Sequence, residues 1–327
     1  MNEPILTIVV PCYNEEEVLP VSILRLRSVL NQACNDHLAS GKSTILLVDD
    51  GSKDLTWKII ENQVRTNREV TGLKLSRNFG HQNALIAGME TARVYSDCVI
   101  TIDADLQDDV NVIPTFLAKY KEGFDIVYGV RDQRKTDTFF KRNTALLFYR
   151  LMGRMGVRMV PNHADFRLLS QRALDEFANY QEENLFLRGI VPLLGFKSTK
   201  VYYNRAERFA GKSKYPFKKM INFALDGLTS FSIAPIRMVT YLGLSIVGVG
   251  GLTALYALIQ HFMNHVVTGW TSLILSVWLI GGIQLTAIGV IGEYVGKIFK
   301  ETKQRPRYTI EERKMNNGEE KLKNKAL

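Results

Sequence analysis

Cysteine is scarce in this sequence: Cys12, Cys34 and Cys98 are the three among 327 residues. Their spacing fits neither a zinc site nor a redox pair, and an odd number cannot close a disulfide framework. This scarcity excludes a disulfide-stabilised secreted domain and predicts reduced thiols in a cytosolic compartment. The opening residues also lack the basic start and long apolar run of a signal peptide.

The common glycine motifs of nucleotide-binding proteins are missing. No Gly-x-Gly-x-x-Gly follows the first apolar segment, and no Walker A motif occurs in the chain. These absences argue against a dinucleotide dehydrogenase and a P-loop enzyme. The glycine-rich residues 248–251 lie inside a long apolar segment, where close helix packing is the better explanation.

Charge is absent from two long stretches near the end of the chain, although the net charge is +9. Residues 238–260 and 266–292 carry no charged side chain, and each stretch is long enough to cross a bilayer core of ~30 Å. Lysine and arginine flank both stretches but not the connection between them. The positive-inside rule therefore predicts that both flanks lie in the cytoplasm. This placement of the basic residues favours the membrane as the partner and argues against binding to nucleic acid.

Apolar segments of strand length alternate with helical patterns in the first hundred residues. Strands are predicted at 5–10, 45–48, 73–75 and 99–102, with helices over 18–34, 55–67 and 82–92. The residues from Asn14 to Glu17 are expected to cap and begin the first helix. Continuous apolar strands without hairpin signals predict a parallel sheet covered by helices on both faces.

Each predicted strand ends in a polar cluster, at 11–15, 49–51, 76–78 and 103–105. Ligands of open α/β sheets bind at the carboxyl ends of the strands, so we expect these clusters to share one crevice. Asp103, Asp105 and Gln107 alternate, as side chains on one side of an extended strand do. Their oxygens suit Mg²⁺ or Mn²⁺. For an isolated Asp-x-Asp, a solvated turn or a helix cap is the alternative.

Five motifs occur in the order typical of one enzyme family. They are Pro-Cys-Tyr-Asn-Glu at 11–15, Val-Asp-Asp-Gly-Ser at 48–52, Asp-Ala-Asp-Leu-Gln at 103–107, Ala-Asp-Phe-Arg-Leu at 164–168 and Arg-Phe-Ala-Gly-Lys-Ser-Lys-Tyr at 208–215. With them, residues 5 to 305 resemble the inverting glycosyltransferases of family 2, and more closely the polyprenyl-phosphate branch that includes dolichyl-phosphate mannosyltransferase. The resemblance implies an α/β, GT-A (Rossmann-like) glycosyltransferase domain followed by a two-helix transmembrane hairpin.

The expected domains follow from this resemblance and from the charge pattern. The cytoplasmic catalytic domain is expected to comprise residues 1–214, and an interfacial amphipathic helix is expected to follow at 215–232. The region 233–300 is expected to contain two transmembrane helices, at about 238–260 and 268–294. A charged cytoplasmic tail is expected at 301–327. The tail is predicted to be disordered from about residue 309. Basic and apolar side chains alternate at helical spacing in residues 139–158 and again in 215–231. Contact with the membrane surface and ordinary packing against the sheet are the two alternative explanations of this pattern. Gly292 and Gly296 suit packing against another helix or another subunit. A homo-oligomer, with a tetramer as one candidate, is expected in the plasma or inner membrane.

The resemblance also implies roles for individual residues. Base and ribose would contact Pro11, Tyr13, Glu15 and Asp50. The cation and the diphosphate would bind at Asp103, Asp105 and Gln107. The full donor-binding set is Pro11, Tyr13, Asn14, Glu15, Asp49, Asp50, Asp103, Ala104, Arg131, Arg208 and Lys214, in which Arg131 lies near the donor sugar and Arg208 and Lys214 clamp the diphosphate.

Asp165 and Asp105 are the candidate catalytic residues, and Asp165 matches the family acid beside the acceptor. A phosphate monoester loses its second proton near pH ~6, so a phosphate acceptor does not need a base. Asp165 is then expected to orient the acceptor or Arg167, or to stabilise charge on the sugar; a structural Asp–Arg pair is the alternative. For His81 and His163, packing or capping is the expected role. Asp108 and Asp109 depart from the family pattern and are expected to alter the next helix start but not the metal site.

The expected reaction is metal-dependent inverting transfer of a sugar to undecaprenyl or another polyprenyl phosphate, for cell-envelope glycosylation. UDP-glucose and UDP-N-acetylglucosamine are the candidate donors. A processive polysaccharide synthase is one alternative, although the Gln-x-x-Arg-Trp motif of those enzymes is absent. A non-catalytic membrane assembly subunit is the other, and the acids at 103, 105 and 165 argue against it.

Overall fold

The computed structural model describes residues 3–105, 107–131, 163–182, 187–204 and 270–315, together with single positions between 239 and 252. The chain divides into two compact units. One comprises residues 1–153, 158–216 and 306–327, and the other comprises 154–157 and 217–305. The sheet described next lies in the first unit, and the long C-terminal helix lies in the second.

Within the described residues, eight strands form one mixed sheet in the order β7-β5-β6-β4-β1-β2-β3-β8. Their bounds are β1 Leu6–Cys12, β2 Thr44–Asp49, β3 Val70–Leu75, β4 Cys98–Thr101, β5 Ile126–Arg131, β6 His163–Ser170, β7 Ser198–Tyr203 and β8 Ile310–Lys314. Strands β4, β1, β2 and β3 are parallel neighbours, as are β5 and β7. Strand β6 runs antiparallel between β4 and β5, and β8 runs antiparallel beside β3.

The helices are α1 Leu19–Asn35, α2 Thr56–Thr66, α3 His81–Ala92, α4 Ile113–Lys121, α5 Gln171–Phe177, α6 Leu187–Leu193 and α7 Trp270–Thr302, with a 3-10 turn at Val110–Val112. Every residue of β1 and β2 is buried, because helices cover both faces of the central strands. The packing is close: a Cβ atom on Gly88 of α3 would lie 2.3 Å from Cγ1 of Val9.

The predicted parallel core is confirmed for β1 to β4, but a purely parallel sheet is wrong because β6 enters it in the opposite direction. The predicted helix cap is also wrong. Helix α1 begins at Leu19, beyond the run of acids, and the carbonyl of Glu15 accepts the N–H groups of Val18 and Leu19. The residues from Asn14 to Glu16 instead bind the loop after β2.

The prediction of a disordered tail is wrong for its first part. Strand β8 pairs with β3 from Gly72 to Leu75, and Nζ of Lys74 lies 3.1 Å from Oε1 of Glu311. Charged residues suit an exposed edge strand, where backbone pairing rather than apolar burial holds the segment. The prediction of disorder rested on composition alone. Composition could not indicate that this segment pairs with a strand more than 200 residues earlier in the chain.

Helix α7 contains 33 residues and overlaps the predicted span 268–294. Several of its large apolar side chains are exposed, among them Val277, Ile288, Val295 and Phe299. By length and hydropathy together, no helix within the described residues qualifies as a membrane-crossing segment. The predictions for 139–158 and 215–232, and most of the predicted span 238–260, lie outside the described residues.

Candidate active site

The loops that follow β1 and β2 are joined by hydrogen bonds between backbone and side chains. The N–H of Asn14 donates to Oγ of Ser52 at 3.0 Å, and Oδ1 of Asn14 accepts the N–H of Lys53 at 2.9 Å. The N–H of Glu15 donates to Oγ1 of Thr56 at 2.9 Å. Asn14 has a φ of 51°, a left-handed conformation that asparagine tolerates better than most residues. The first two predicted clusters are therefore brought together.

Asp50 fixes the loop that follows β3. Its two carboxylate oxygens accept the N–H groups of Phe79 and Gly80 at 2.7 and 3.0 Å. Burial raises the pKa of Asp50 even though these two donors act in the opposite direction. Gly51 has a φ of 66°, and a Cβ atom there would lie 2.4 Å from the carbonyl carbon of Arg77. The third cluster thus lies against the second.

Asp49 is fully buried at the end of β2. Its Oδ1 accepts the N–H of Ser52 at 3.2 Å, whereas Oδ2 has no hydrogen-bond partner among the described residues. Burial raises the pKa of this carboxyl. Of the remaining predicted donor residues here, Pro11 is buried and Tyr13 is half-buried. A buried carboxylate oxygen without a donor suits a ligand hydroxyl, because an unsatisfied acceptor costs free energy.

The fourth cluster lies beyond the end of its strand. Strand β4 ends at Thr101, and the chain turns at Ala104 and Asp105. Oγ of Ser22 donates to the carbonyl of Ala104 at 2.6 Å, which ties the turn to α1. The N–H of Gln107 donates to Oδ1 of Asp105 at 3.2 Å. The strand alternation expected for residues 103–107 is therefore wrong, because the backbone is no longer extended there.

Asp103 lies among other carboxylates. Its Oδ1 has no hydrogen-bond donor among the described residues, and Nε2 of His81 lies 3.4 Å away. The pKa of Asp103 is raised to about 6: burial raises it most, His81 lowers it, and the charges of Asp165, Asp108 and Asp105 raise it. A cation would relieve this repulsion, and carboxylate and amide oxygens are the ligand type that Mg²⁺ and Mn²⁺ prefer. Within the described part of the chain, no group of three or more His, Cys, Asp or Glu side chains has the arrangement of a metal site.

Asp165 is surrounded by cationic side chains. Arg167 donates to its Oδ1, Nη2 of Arg188 donates to its Oδ2 at 3.1 Å, and Nε2 of His81 lies 3.7 Å from Oδ2. Burial alone would raise the pKa of Asp165, but Arg188, His81 and Arg167 together hold the pKa well below its usual range. A carboxylate with so low a pKa is a weak general base at neutral pH.

Asp108 holds the side chain of Arg131. Its Oδ1 accepts Nε and Nη2 of Arg131 at 3.1 and 2.9 Å, together with the hydroxyl of Tyr203. Asp109 accepts the N–H of Asn111 at 3.0 Å and so begins the 3-10 turn. The effect of this acidic pair on the next helix start, relative to the family pattern, stays a prediction. Asp108, however, has a role in the site that the sequence did not indicate.

The residues that sequence reasoning missed are His81, Asp108, Arg188 and Tyr203. A signal existed for Asp108, which directly follows the acidic motif. No sequence spacing links Arg188 to Asp165, since α6 brings them together. Two predicted residues, Arg208 and Lys214, lie outside the described residues, as does the side chain of His163.

Comparison with known proteins identifies the family. The model of the family described as "Glycosyl transferase family 2" matches residues 7–178. This chain belongs to glycosyl transferase family 2. The enzyme is similar to the "Uncharacterized glycosyltransferase YkoT" of Bacillus subtilis (strain 168), with 56% identity over 95% of this chain and 92% of the relative.

A second relative of this glycosyltransferase carries a more specific name. The "Bactoprenol glucosyl transferase" of Shigella phage SfX is 39% identical over 94% of this chain and 99% of its own length. Among solved structures, the glucosyl-3-phosphoglycerate synthase of Mycobacterium tuberculosis is 17% identical, with a TM-score of 0.44, over 69% of this chain and 76% of that one. The expectations of a family 2 glycosyltransferase and of a GT-A-like α/β domain are confirmed.

Proposed function

We propose that this glycosyltransferase transfers a sugar from a nucleotide-sugar donor to a polyprenyl phosphate, with inversion at the anomeric carbon. The observation that carries the proposal is the set of cations around Asp165. A hydroxyl acceptor needs a base to remove its proton, whereas a phosphate monoester with a second pKa near ~6 is already largely ionised at neutral pH. A weakly basic Asp165 beside two guanidiniums suits the phosphate acceptor.

The proposed donor is UDP-glucose, with UDP-N-acetylglucosamine as the second candidate. The name of the Shigella phage relative favours glucose. Pro11, Tyr13, Glu15 and Asp50 are the proposed base and ribose contacts, and Asp49 contributes a buried oxygen beside them. Because Asp50 also fixes the backbone of the loop at 76–80, it would order this pocket before the donor binds.

Asp103, Asp105 and Gln107 are the residues proposed to hold Mg²⁺ or Mn²⁺. A divalent cation there would neutralise charge on the departing nucleoside diphosphate. Arg208 and Lys214 are proposed to clamp the same diphosphate. Arg131, held by Asp108 and Tyr203, is proposed to contact the donor sugar, and this support would keep its guanidinium in one orientation.

The membrane placement also belongs to the proposal. The charge-free stretches 238–260 and 266–292 and the basic residues that flank them support a transmembrane hairpin with the catalytic domain and both termini in the cytoplasm. That arrangement would give the enzyme access to cytoplasmic nucleotide sugars and to lipid phosphate. Gly292 and Gly296 are proposed to pack between subunits of a homo-oligomer, with a tetramer as one candidate.

The test uses the full chain, purified in detergent, with undecaprenyl phosphate and one radiolabelled UDP-sugar at a time. We expect label to enter the lipid fraction from one donor and to do so only when a divalent metal is present. Label in long polymer would favour a processive synthase instead. If no donor gives transfer, the non-catalytic assembly subunit becomes the better explanation. Transfer that persists in EDTA would contradict the proposed metal site but not the proposed sugar transfer.

A further inference from the structure

Two guanidiniums share the carboxylate of Asp165. Arg167 and Arg188 both pair with this one carboxylate, and a guanidinium stays protonated at any physiological pH. The other guanidinium of the described site, Arg131, has a carboxylate of its own, since Nη2 lies 2.9 Å from Asp108.

The two guanidiniums beside Asp165 differ in their access to solvent. The side chain of Arg167 is 1% exposed, whereas that of Arg188 is 35% exposed. Asp165 itself is 13% exposed, so it lies deeper than Arg188. Arg188 is therefore the guanidinium of this pair that a ligand in solution can reach, while its hydrogen bond to Asp165 fixes its position.

We infer that Arg188 binds the phosphate of the acceptor and that Asp165 positions Arg188 instead of removing a proton. A guanidinium matches phosphate oxygens through two parallel N–H groups. Ordering the guanidinium before the acceptor arrives reduces the entropy lost on binding. The inference rests on the proposed function and adds to it the residue that selects a phosphate acceptor.

The chemical step balances without a base. A phosphate oxygen of the dianionic acceptor forms the new bond to the anomeric carbon. The bond from that carbon to the nucleoside diphosphate breaks, and its electron pair leaves with the diphosphate. No proton moves in this step, so the low basicity of Asp165 is no obstacle.

The test compares Arg188→Gln and Arg188→Lys with the wild-type full chain, using a short, water-soluble polyprenyl phosphate as the acceptor. Losing a charge-assisted pair should raise the acceptor KM about 10- to 100-fold for Arg188→Gln and by less for Arg188→Lys. The donor KM and UDP binding should not change. Arg93→Gln is the matched control, because Arg93 is 36% exposed and pairs with Asp175 at 3.0 Å, beyond the far end of α3 from His81. The control should keep both KM values.

An unchanged acceptor KM in Arg188→Gln would overturn the inference. If that variant fails to fold by circular dichroism, Arg188→Lys decides by the same criterion. Asp165→Asn should also raise the acceptor KM, since Arg188 loses its support; a fall in kcat at constant acceptor KM would identify a base and overturn the assignment. If the wild-type enzyme glycosylates no lipid phosphate, the proposed function fails together with this inference. If the wild-type enzyme is active but the Arg188 variants keep its acceptor KM, the inference fails alone.

Discussion

Gly51 offers a test of how closely the loops after β2 and β3 are packed. An alanine there must adopt the φ of 66°, which costs about 1–2 kcal/mol for a residue with a Cβ atom. That atom would also lie 2.4 Å from the carbonyl carbon of Arg77. Because the contact is with backbone, no rotamer change relieves it, and the loop must shift at a cost of about 1–3 kcal/mol. We expect Gly51→Ala to lower the free energy of unfolding by about 2–5 kcal/mol in all.

The chain supplies two matched controls for this substitution. Gly123 has a φ of 85° but open space around a Cβ atom, so Gly123→Ala should cost only the ~1–2 kcal/mol of backbone strain. Gly41 has open space and no left-handed φ, so Gly41→Ala should change stability by less than about 1 kcal/mol. Urea unfolding followed by tryptophan fluorescence, to which Trp57 beside the core contributes, measures all three. A cost for Gly51→Ala no larger than that for Gly123→Ala would refute the close loop contact.

Three further predictions concern the site and the C-terminal strand. Asp105→Ala should lower transfer at least ~100-fold and weaken Mn²⁺ binding in calorimetry while leaving circular dichroism unchanged; wild-type turnover would contradict the metal assignment. Tyr203→Phe removes a hydroxyl that donates to the buried Asp108, so it should cost about 1–3 kcal/mol in thermal unfolding; an unchanged melting temperature would rule out this bond. Tyr308→Phe removes the hydroxyl bound to Glu90 and should speed amide exchange in β8, whereas unchanged exchange would show that this bond does not hold the strand.

Local sequence patterns correctly predicted those helices and strands whose apolar periodicity is complete within the element itself. The helix expected over 55–67 is observed at Thr56–Thr66, and the strand expected over 45–48 is observed at Thr44–Asp49. Apolar periodicity decides such elements, because their buried faces are continuous along the chain. The acidic clusters after β2 and β4 were also found in this way, since charge directly after a buried strand is conspicuous.

Contacts between distant segments could not be predicted from the same patterns. The antiparallel insertion of β6 depends on how the chain returns to the sheet, not on the composition of β6. Nothing in the spacing of Asp165 and Arg188 indicates that α6 turns the guanidinium back onto the carboxylate. His81 was expected to cap or pack, because its neighbours along the chain do not reveal that Asp103 and Asp165 lie within 4 Å of its ring.

Strand β8 is synthesised late, although it belongs to the sheet of the first unit. Its five residues leave the ribosome after all 33 residues of α7, yet they complete the edge of a sheet whose other described strands lie before residue 204. Until then, one edge of β3 presents unpaired N–H and C=O groups, which is where other chains can add. A truncated protein that stops before residue 306 would leave this edge of β3 without its partner strand, and we expect such a protein to aggregate more readily than the full chain.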